Sequence, residues 1–434
     1  MSDNGPARDP VIANPDLPRQ TDVVIIGGGI AGICTAYTLA QRGVAVVVCE
    51  KGDVAGEQSS RNWGWVRKQG RDPREIPLVI ESLRIWERLN TEINDETGFR
   101  TTGNIALAVN PETLSRRAAW LEHAHQYQID TRLLAPGEAN KLMPGAAMTF
   151  EAALYTPSDG QAEPQKAVPA IARAAQRLGA VILTNCAVRG LDRSGGRISG
   201  VITERGRIAA ASVVLAGGAW SRLFAGNEDF DLPQLRIRSG ALRTEPVQGG
   251  PEIAAIIEQV AFRKRLDGGY TVASFMMQAD IVPDSFRQFR TFLPRLRADG
   301  RDLKLRLGES FLTELRTPRR WALDGETPFE RTRIFDPAPN ASDAEAARRR
   351  LVELFPVFRD VKVAQHWGGM IDVTPDAVPI ISPVESLPGF FVATGFTGHG
   401  FGIGPGAGRL MADLVTGAPP VVDPTAFRFD RFAA

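Results

Sequence analysis

The sequence predicts an α/β fold, in which a twisted and mostly parallel sheet is joined to a second α+β unit on a mixed or antiparallel sheet. Three observations carry this reading. Thr21-Asp22-Val23-Val24-Ile25-Ile26 is a β-branched run of strand length that leads into Gly27-Gly28-Gly29-Ile30-Ala31-Gly32. A helical stretch over 33–42 follows, Gly43 breaks it, and Val44-Ala45-Val46-Val47-Val48-Cys49 makes a second strand that ends at Glu50. Strand, small residues and helix then recur near 208–220 and again near 390–414. The first block is the βαβ arrangement of a Rossmann-like nucleotide fold, with its glycines at G-x-G-x-x-G spacing.

Each part of that block has a physical task. Gly27 allows the tight turn, Gly29 puts no side chain in front of a pyrophosphate, and Gly32 lets helix and strand approach closely. The helix over 33–42 then presents free N–H groups and a positive dipole end to the phosphates. Glu50 accepts hydrogen bonds from a ribose diol and repels a 2′-phosphate, which argues against NADP.

Composition bounds the remaining classes. The chain has 434 residues, 43% hydrophobic and 23% charged, with a net charge of +1. Such a charge gives no global field for nucleic acid. No apolar run approaches the ~20 residues of a membrane span. The first twenty residues are polar and Pro-rich and lack a signal-peptide core. They read as a mobile lead-in to a cytoplasmic protein. Cys34, Cys49 and Cys186 are scattered and odd in number, which suits buried reduced thiols rather than a disulfide framework. The four histidines, His123, His125, His366 and His399, form no cluster at metal-ligand spacing, so no metal is expected.

After Glu50 a polar loop runs from Gly56 to Arg67. The spacing of Leu78, Ser82, Ile85, Trp86 and Leu89 predicts an amphipathic helix over 75–94. A strand is expected over 103–109, and helices over 111–126, 135–143 and 164–178. Strands follow at 179–183, 187–191, 198–202 and 208–215. The last ends in Ala216-Gly217-Gly218-Ala219-Trp220, small residues that suit close approach to a ligand. Residues 236–273 are strand-rich. Between Phe286 and Arg320 ten Arg/Lys oppose four Asp/Glu, and Phe286, Phe289, Leu293 and Leu296 have rough helical spacing. This reads as a solvated basic helical insertion, with a lid or a docking face for an acidic partner as the alternatives. A helix is expected over 342–358, with Ser342 and Asp343 available as N-cap. The C-terminal region carries Thr374-Pro375-Asp376, then Gly395-Phe396-Thr397-Gly398-His399-Gly400-Phe401, then a helix expected to begin near Pro405 and run to Leu414.

Together these blocks resemble the D-amino-acid oxidase superfamily, of the sarcosine oxidase and glycine oxidase type, over about 21–414 apart from 280–337. The resemblance implies a GR2-type FAD-binding domain made of 21–100, 155–225 and 364–418. It implies a substrate-binding domain from 101–154 and 226–363, with the basic insertion at about 283–335. FAD is implied as a non-covalent cofactor, since Gly369 stands where sarcosine oxidases carry the attaching Cys. Its implied contacts are Gly27, Gly29, Ile30, Ala31 and Gly32 at the pyrophosphate, and Glu50 and Lys51 at the adenosine ribose. Ser59, Ser60 and Asn62 fall in the loop passing the flavin, Val188 at the adenine, Ala216, Gly217 and Trp220 along the cofactor, and Gly369 beside it. Gly400, Phe401, Gly402 and Ile403 come to the pyrimidine edge, where a helix N-terminus favours an anionic reduced ring.

The implied activity is oxidation of the C–N bond of an amino acid or secondary amine to an imine, by hydride transfer to flavin N5, followed by hydrolysis. Arg67 falls where the family holds the substrate carboxylate, and a guanidinium fork suits that group. Trp63 and Trp65 would wall the pocket, Arg61, Arg263 and Arg265 are alternative carboxylate ligands, and His399 matches the flavin-proximal histidine, so His399 and Arg67 are the candidate catalytic pair. Three departures stand out. Gly402 replaces a second carboxylate-binding Lys, Thr271 replaces an oxygen-activating Lys, and Ile371 replaces the Arg of D-amino-acid oxidases. The lost cation leans toward dehydrogenase behaviour unless Lys68 or an Arg substitutes in space. The expected partners are a small amine or amino-acid substrate, oxygen or another electron acceptor, and a homo-oligomer or electron-accepting protein. Two rivals remain: a dehydrogenase subunit passing electrons to a protein partner, and an NAD-dependent oxidoreductase. The C-terminal glycine block argues against the second.

Overall fold

Val23, Val24, Ile25 and Ile26 are buried on both faces, as a central parallel strand requires. In the computed structural model, which describes residues 5–258, 260–299 and 303–432, strand Gln20–Ile26 sits at the centre of an eight-stranded sheet. Its parallel core runs Val181–Leu183, Val46–Cys49, Gln20–Ile26, Gly206–Leu215 and Phe390–Thr394. Val188–Ser194 and Arg197–Thr203 form an antiparallel meander onto Gly206–Leu215, and Ile380–Pro383 pairs antiparallel with Phe390–Thr394. The three distant segments that end in small residues therefore deliver their C-terminal ends to one edge. In open α/β sheets that edge is where ligands bind.

The helix Gly400–Thr416 begins earlier than its proline suggests, so Gly400 to Ile403 form its first turn. Most of its glycines serve packing rather than a ligand. A Cβ at Gly404 would collide with the Ile30 side chain, one at Gly406 would lie 2.7 Å from the Leu78 oxygen, and one at Gly408 would lie 2.5 Å from the Cys34 carbonyl carbon. The helix thus crosses both Ile30–Gln41 and Ile76–Ile93 at backbone contact. Pro405 has no N–H for the helix ladder. One turn is bridged instead by Ser82, whose hydroxyl donates to the Gly402 oxygen (2.8 Å) and accepts from Gly406 N (3.2 Å). Trp86 Nε1 donates to the same Gly402 oxygen at 3.0 Å. An inserted side chain of this kind fixes the helix in one register.

The second sheet has ten strands, mostly antiparallel, with Val363–Val373 paired along the length of Leu235–Thr244. That strand carries Gly369 and joins the second sheet, although the sequence reading groups 364–418 with the cofactor unit. Tyr155 and Thr156, grouped with the cofactor unit by the sequence reading, likewise pair with Ile105 and Asn104 in the second sheet. The insertion is not purely helical. Helices Pro283–Arg287, Phe289–Asp299 and Glu309–Arg316 surround a strand, Leu303–Arg306, that extends the second sheet by parallel pairing with Met277–Asp280.

Other local differences have simple causes. The expected helix 111–126 is two, Pro111–Ala119 and Leu121–Gln126. Helix Ala341–Leu354 is capped by Asn340, two residues before the expected Ser342, because the Asn340 side chain reaches the Asp343 amide. The N-terminal lead-in is docked: Asn14 N donates to the Ile182 oxygen at 2.8 Å, and Asn14 Oδ1 accepts from Ile182 N at 2.9 Å. Backbone pairing that sequence polarity does not advertise holds it down.

A buried ion pair fastens the two units together. Arg263 donates to both Glu163 oxygens at 2.9 Å and, through Nε, to the Trp63 carbonyl at 2.5 Å. Burial alone would raise the Glu163 carboxyl, but the Arg263 and Arg265 guanidiniums overcome it and hold the group at about 2, against an ordinary 4.5. A depressed carboxylate contributes stability that is complete above the unfolded value and lost as pH falls through the folded one. The pair is therefore expected to contribute on the order of 3 kcal/mol above pH ~4.5, at 1.36 kcal/mol per unit, and to lose it between pH ~4.5 and ~2. Thermal melts of Glu163→Gln should lie well below the parent at neutral pH and converge with it near pH 2. Parallel curves across that window would remove this pair as the cause.

Candidate functional site

A cavity of about 1220 Å³, partly open to solvent, lies at the C-terminal edge of the first sheet. Gly27, Gly29, Ile30, Ala31, Glu50, Lys51, Ser59, Asn62, Val188, Ala216, Gly217, Trp220, Gly400 and Phe401 all line it. Gly27 has φ +112, and a Cβ there would collide with the Ala216 oxygen, so the turn admits only glycine. Glu50 accepts from Gly28 N and Gly52 N, both at 2.7 Å. Those two amides fix the carboxylate at the strand end, while burial raises its affinity for a proton. Ser59 Oγ accepts from Ile30 N at 2.9 Å, so this loop serine orders the first turn of the helix that faces the cavity.

Five predicted contacts stand behind the wall. A Cβ at Gly32 would overlap the Gly27 oxygen, so Gly32 sets helix–strand distance. Ser60 is fully buried, and its oxygens bond Glu57 and Gln165. Gly369 lies against Gln58, and a Cβ there would collide with Oε1 of that side chain. Gly402 and Ile403 are buried in the helix crossing, and a Cβ at Gly402 would sit 3.1 Å from the Trp65 oxygen and 3.7 Å from Arg67 N. Gly402 thus packs the start of the glycine helix against the Trp65–Arg67 segment.

On that side Trp63, Trp65 and Phe275 form an edge-to-face aromatic cluster, with centroids 5.5 Å apart for the two tryptophans and 4.8 Å for Trp63 and Phe275. The Arg67 guanidinium lies 5.1 Å over the Trp65 ring. Arg67 Nε and Arg71 Nη1 are buried without a hydrogen-bond partner, and neither guanidinium forms an ion pair among the described residues. Burial and the neighbouring Arg71 push Arg67 down to about 9. Asp159 accepts from Lys68 N (2.8 Å) and Gln69 N (3.2 Å), which fixes the backbone that carries Arg67. Burial raises this carboxyl to about 6. His399 Nδ1 lies 3.1 Å from a Glu75 oxygen, and His399 occupies the N-cap position of Gly400–Thr416. Burial and Arg71 lower its proton affinity, against the opposing pull of Glu75, so it is neutral at physiological pH.

The alternative arginines are engaged elsewhere. Arg61 bonds Asp336 and the Gly368 oxygen, and Arg263 bonds Glu163. Arg265 bonds Asp267 at 3.2 Å and lies 3.9 Å from Glu163. Lys68 Nζ is committed to Ser158 Oγ at 2.6 Å. Thr271 is buried with its hydroxyl near Arg265.

The family model described as DAO, FAD dependent oxidoreductase, matches residues 22–414. The chain belongs to this family. Among solved structures, L-amino acid deaminase from Proteus myxofaciens, crystallised with anthranilate, aligns with a TM-score of 0.96 at 36% identity, over 99% of this chain and 97% of that one. Sarcosine oxidase subunit beta of Arthrobacter sp is 27% identical over 97% of this chain and 93% of its own length. Glycine oxidase of Pseudomonas aeruginosa is 26% identical over 93% and 97% respectively.

FAD is thus the cofactor, and the DAO-family site fits it on its own chemistry. Gln58 lines the cavity with a buried Oε1 that has no partner in the protein, an acceptor suited to a hydroxyl or ring N–H of FAD. Several cavity residues left no motif in the sequence. Asp372, at the end of a second-sheet strand, accepts from Gly395 N at 2.6 Å and from Gln234 Nε2 at 3.3 Å, locking the two units at the cavity. Phe329 and Arg333 reach the cavity from the C-terminal end of the insertion. Only charge density hinted at that region, and charge density does not say where a segment docks.

Proposed function

We propose that the protein oxidises the C–N bond of a free α-amino acid, with Arg67 holding the substrate carboxylate and Arg71 adding charge beside it. The observation that carries this reading is a half-buried and a buried guanidinium, Arg67 and Arg71, that form no ion pair among the described residues. An unpaired buried cation is costly, and an anionic ligand relieves that cost. FAD, when bound, supplies the two-electron acceptor. The chain supplies the rest. Trp63, Trp65 and Phe275 exclude water, and a low-dielectric site favours the neutral amine that can be oxidised. Asp159, through the amides of Lys68 and Gln69, keeps Arg67 in place. Neutral His399 sits between Glu75 and the start of the glycine helix, where it can accept or donate a proton. The amino-acid substrates for which glycine oxidase and L-amino acid deaminase are named support the same class. Gly369, closed off by Gln58, supports non-covalent attachment.

The first test is the visible spectrum. The protein should be yellow, release its flavin in acid, and bleach without oxygen when α-amino acids are added. Bleaching by simple amines but not by amino acids would overturn the carboxylate reading.

A second reading concerns the electron acceptor. Phe286, Phe289, Leu305, Leu307, Leu312 and Leu315 are exposed on the insertion, a row that supports hand-over to a partner rather than a merely solvated face. Deleting 286–320 should then preserve turnover with artificial dyes and abolish turnover coupled to the natural acceptor. Unchanged coupling would sink this reading.

A further inference from the structure

The segment 327–336, at the C-terminal end of the insertion, crosses the cofactor cavity and is fastened in part to residues that line it. Lys51 Nζ donates to the Thr332 oxygen (2.9 Å), the Arg333 oxygen (2.8 Å) and Glu57 Oε1 (2.6 Å), which uses all three of its hydrogens. Glu57 also accepts from Trp220 Nε1 (2.9 Å) and from Phe335 N (3.0 Å). Arg333 forms a two-pronged pair with Glu204 and donates to the Lys51 oxygen at 3.0 Å. Its own carbonyl lies so close to Gly52 that a Cβ there would collide with it. Gly52 N in turn holds Glu50, the residue at the ribose position of the dinucleotide fold. Phe329 is buried edge-on against Trp220, with centroids 5.8 Å apart, and both rings line the cavity.

The far end of the segment is held by Arg189. Its Nε and Nη2 donate to Glu330 at 3.0 and 2.8 Å, and neither Arg189 nor Glu330 lines the cavity. The anchors are side chains and ion pairs, with no strand pairing, so the segment can release without disturbing either sheet.

We propose that 327–336 is a latch over the adenosine half of the cofactor site, and that the Arg189–Glu330 pair and Phe329 set how fast FAD enters and leaves. This rests on FAD occupying the cavity, which the acid-released flavin spectrum checks independently. A latch differs from an ordinary contact in one respect. Loosening it speeds both release and uptake, because the cofactor must pass it in either direction. Losing a contact to bound cofactor, or general destabilisation, speeds release alone.

The experiment follows both rates by flavin fluorescence: release on diluting the holoprotein, and uptake on mixing FAD with the flavin-stripped protein. Glu330→Gln and Phe329→Leu are expected to speed release and uptake each by tenfold or more. The swapped pair Arg189→Glu with Glu330→Arg should bring both rates back toward the parent. Faster release with unchanged uptake, or no change in either, would overturn the latch. If Phe329→Leu does not fold, Glu330→Gln and the swap decide the matter alone.

Discussion

Arg67→Ala is expected to lower kcat/KM for an α-amino acid by about 100- to 1000-fold, most of it in KM. The estimate follows from loss of a buried charge-assisted contact worth roughly 3–4 kcal/mol, at about 1.4 kcal/mol per tenfold. Arg67→Lys should recover part of the loss, since it keeps the charge but not the two-pronged geometry. An amine substrate without a carboxylate should be turned over by parent and Arg67→Ala within a factor of about three. The flavin spectrum should stay that of the parent, because Arg67 is not among the cavity-lining residues. If Arg67→Ala binds carboxylated substrates as tightly as the parent, Arg71 becomes the remaining candidate. An equal loss on both substrate types would instead assign Arg67 to holding the Trp65 ring in place.

Gly408→Ala should have the largest structural effect of any single methyl addition in the glycine helix. Its Cβ would lie 2.5 Å from the Cys34 carbonyl carbon and 2.6 Å from the Cys34 Cβ, so a backbone would have to move. Overpacking of this kind costs roughly 3 kcal/mol or more. The same crossing positions Gly400 and Phe401 at the cavity, so flavin content should fall together with the melting temperature. Gly137 provides the contrast. It lies in helix Pro136–Leu142 with nothing within 4 Å of an added Cβ. Gly137→Ala should be neutral or stabilising by up to about 1 kcal/mol. Equal melting temperatures for the two variants would mean that the helices do not cross at backbone contact.

The local parts of the fold were legible because their signals are local. The run 21–26, the spacing of Gly27, Gly29 and Gly32, and Glu50 at the strand end state their geometry within thirty residues. The amphipathic face of Ile76–Ile93 is equally plain in its spacing. The glycine helix was legible as an element but not in purpose. A glycine that admits phosphate and one that admits another helix look alike in sequence, and only the positions of Cys34, Leu78 and Ile30 tell them apart. Arg67 could be named as a candidate from the resemblance. Its distinguishing property, a half-buried guanidinium beside Arg71 with no ion pair among the described residues, depends on the packing of segments far apart in the chain. Arg263 and Arg265 were equally plausible by type, and both proved to be committed to carboxylates.

What the sequence determined by itself is therefore the nucleotide fold, its glycine turn and the acid at its second strand's end, because strand, turn and helix propensities act over a few residues. Only the tertiary structure decided which arginines are unpaired, that Val363–Val373 brings Asp372 to the cavity from the second sheet, and that 327–336 lies across it. Charge pairing and burial depend on which distant residues meet, and a linear chain does not display that.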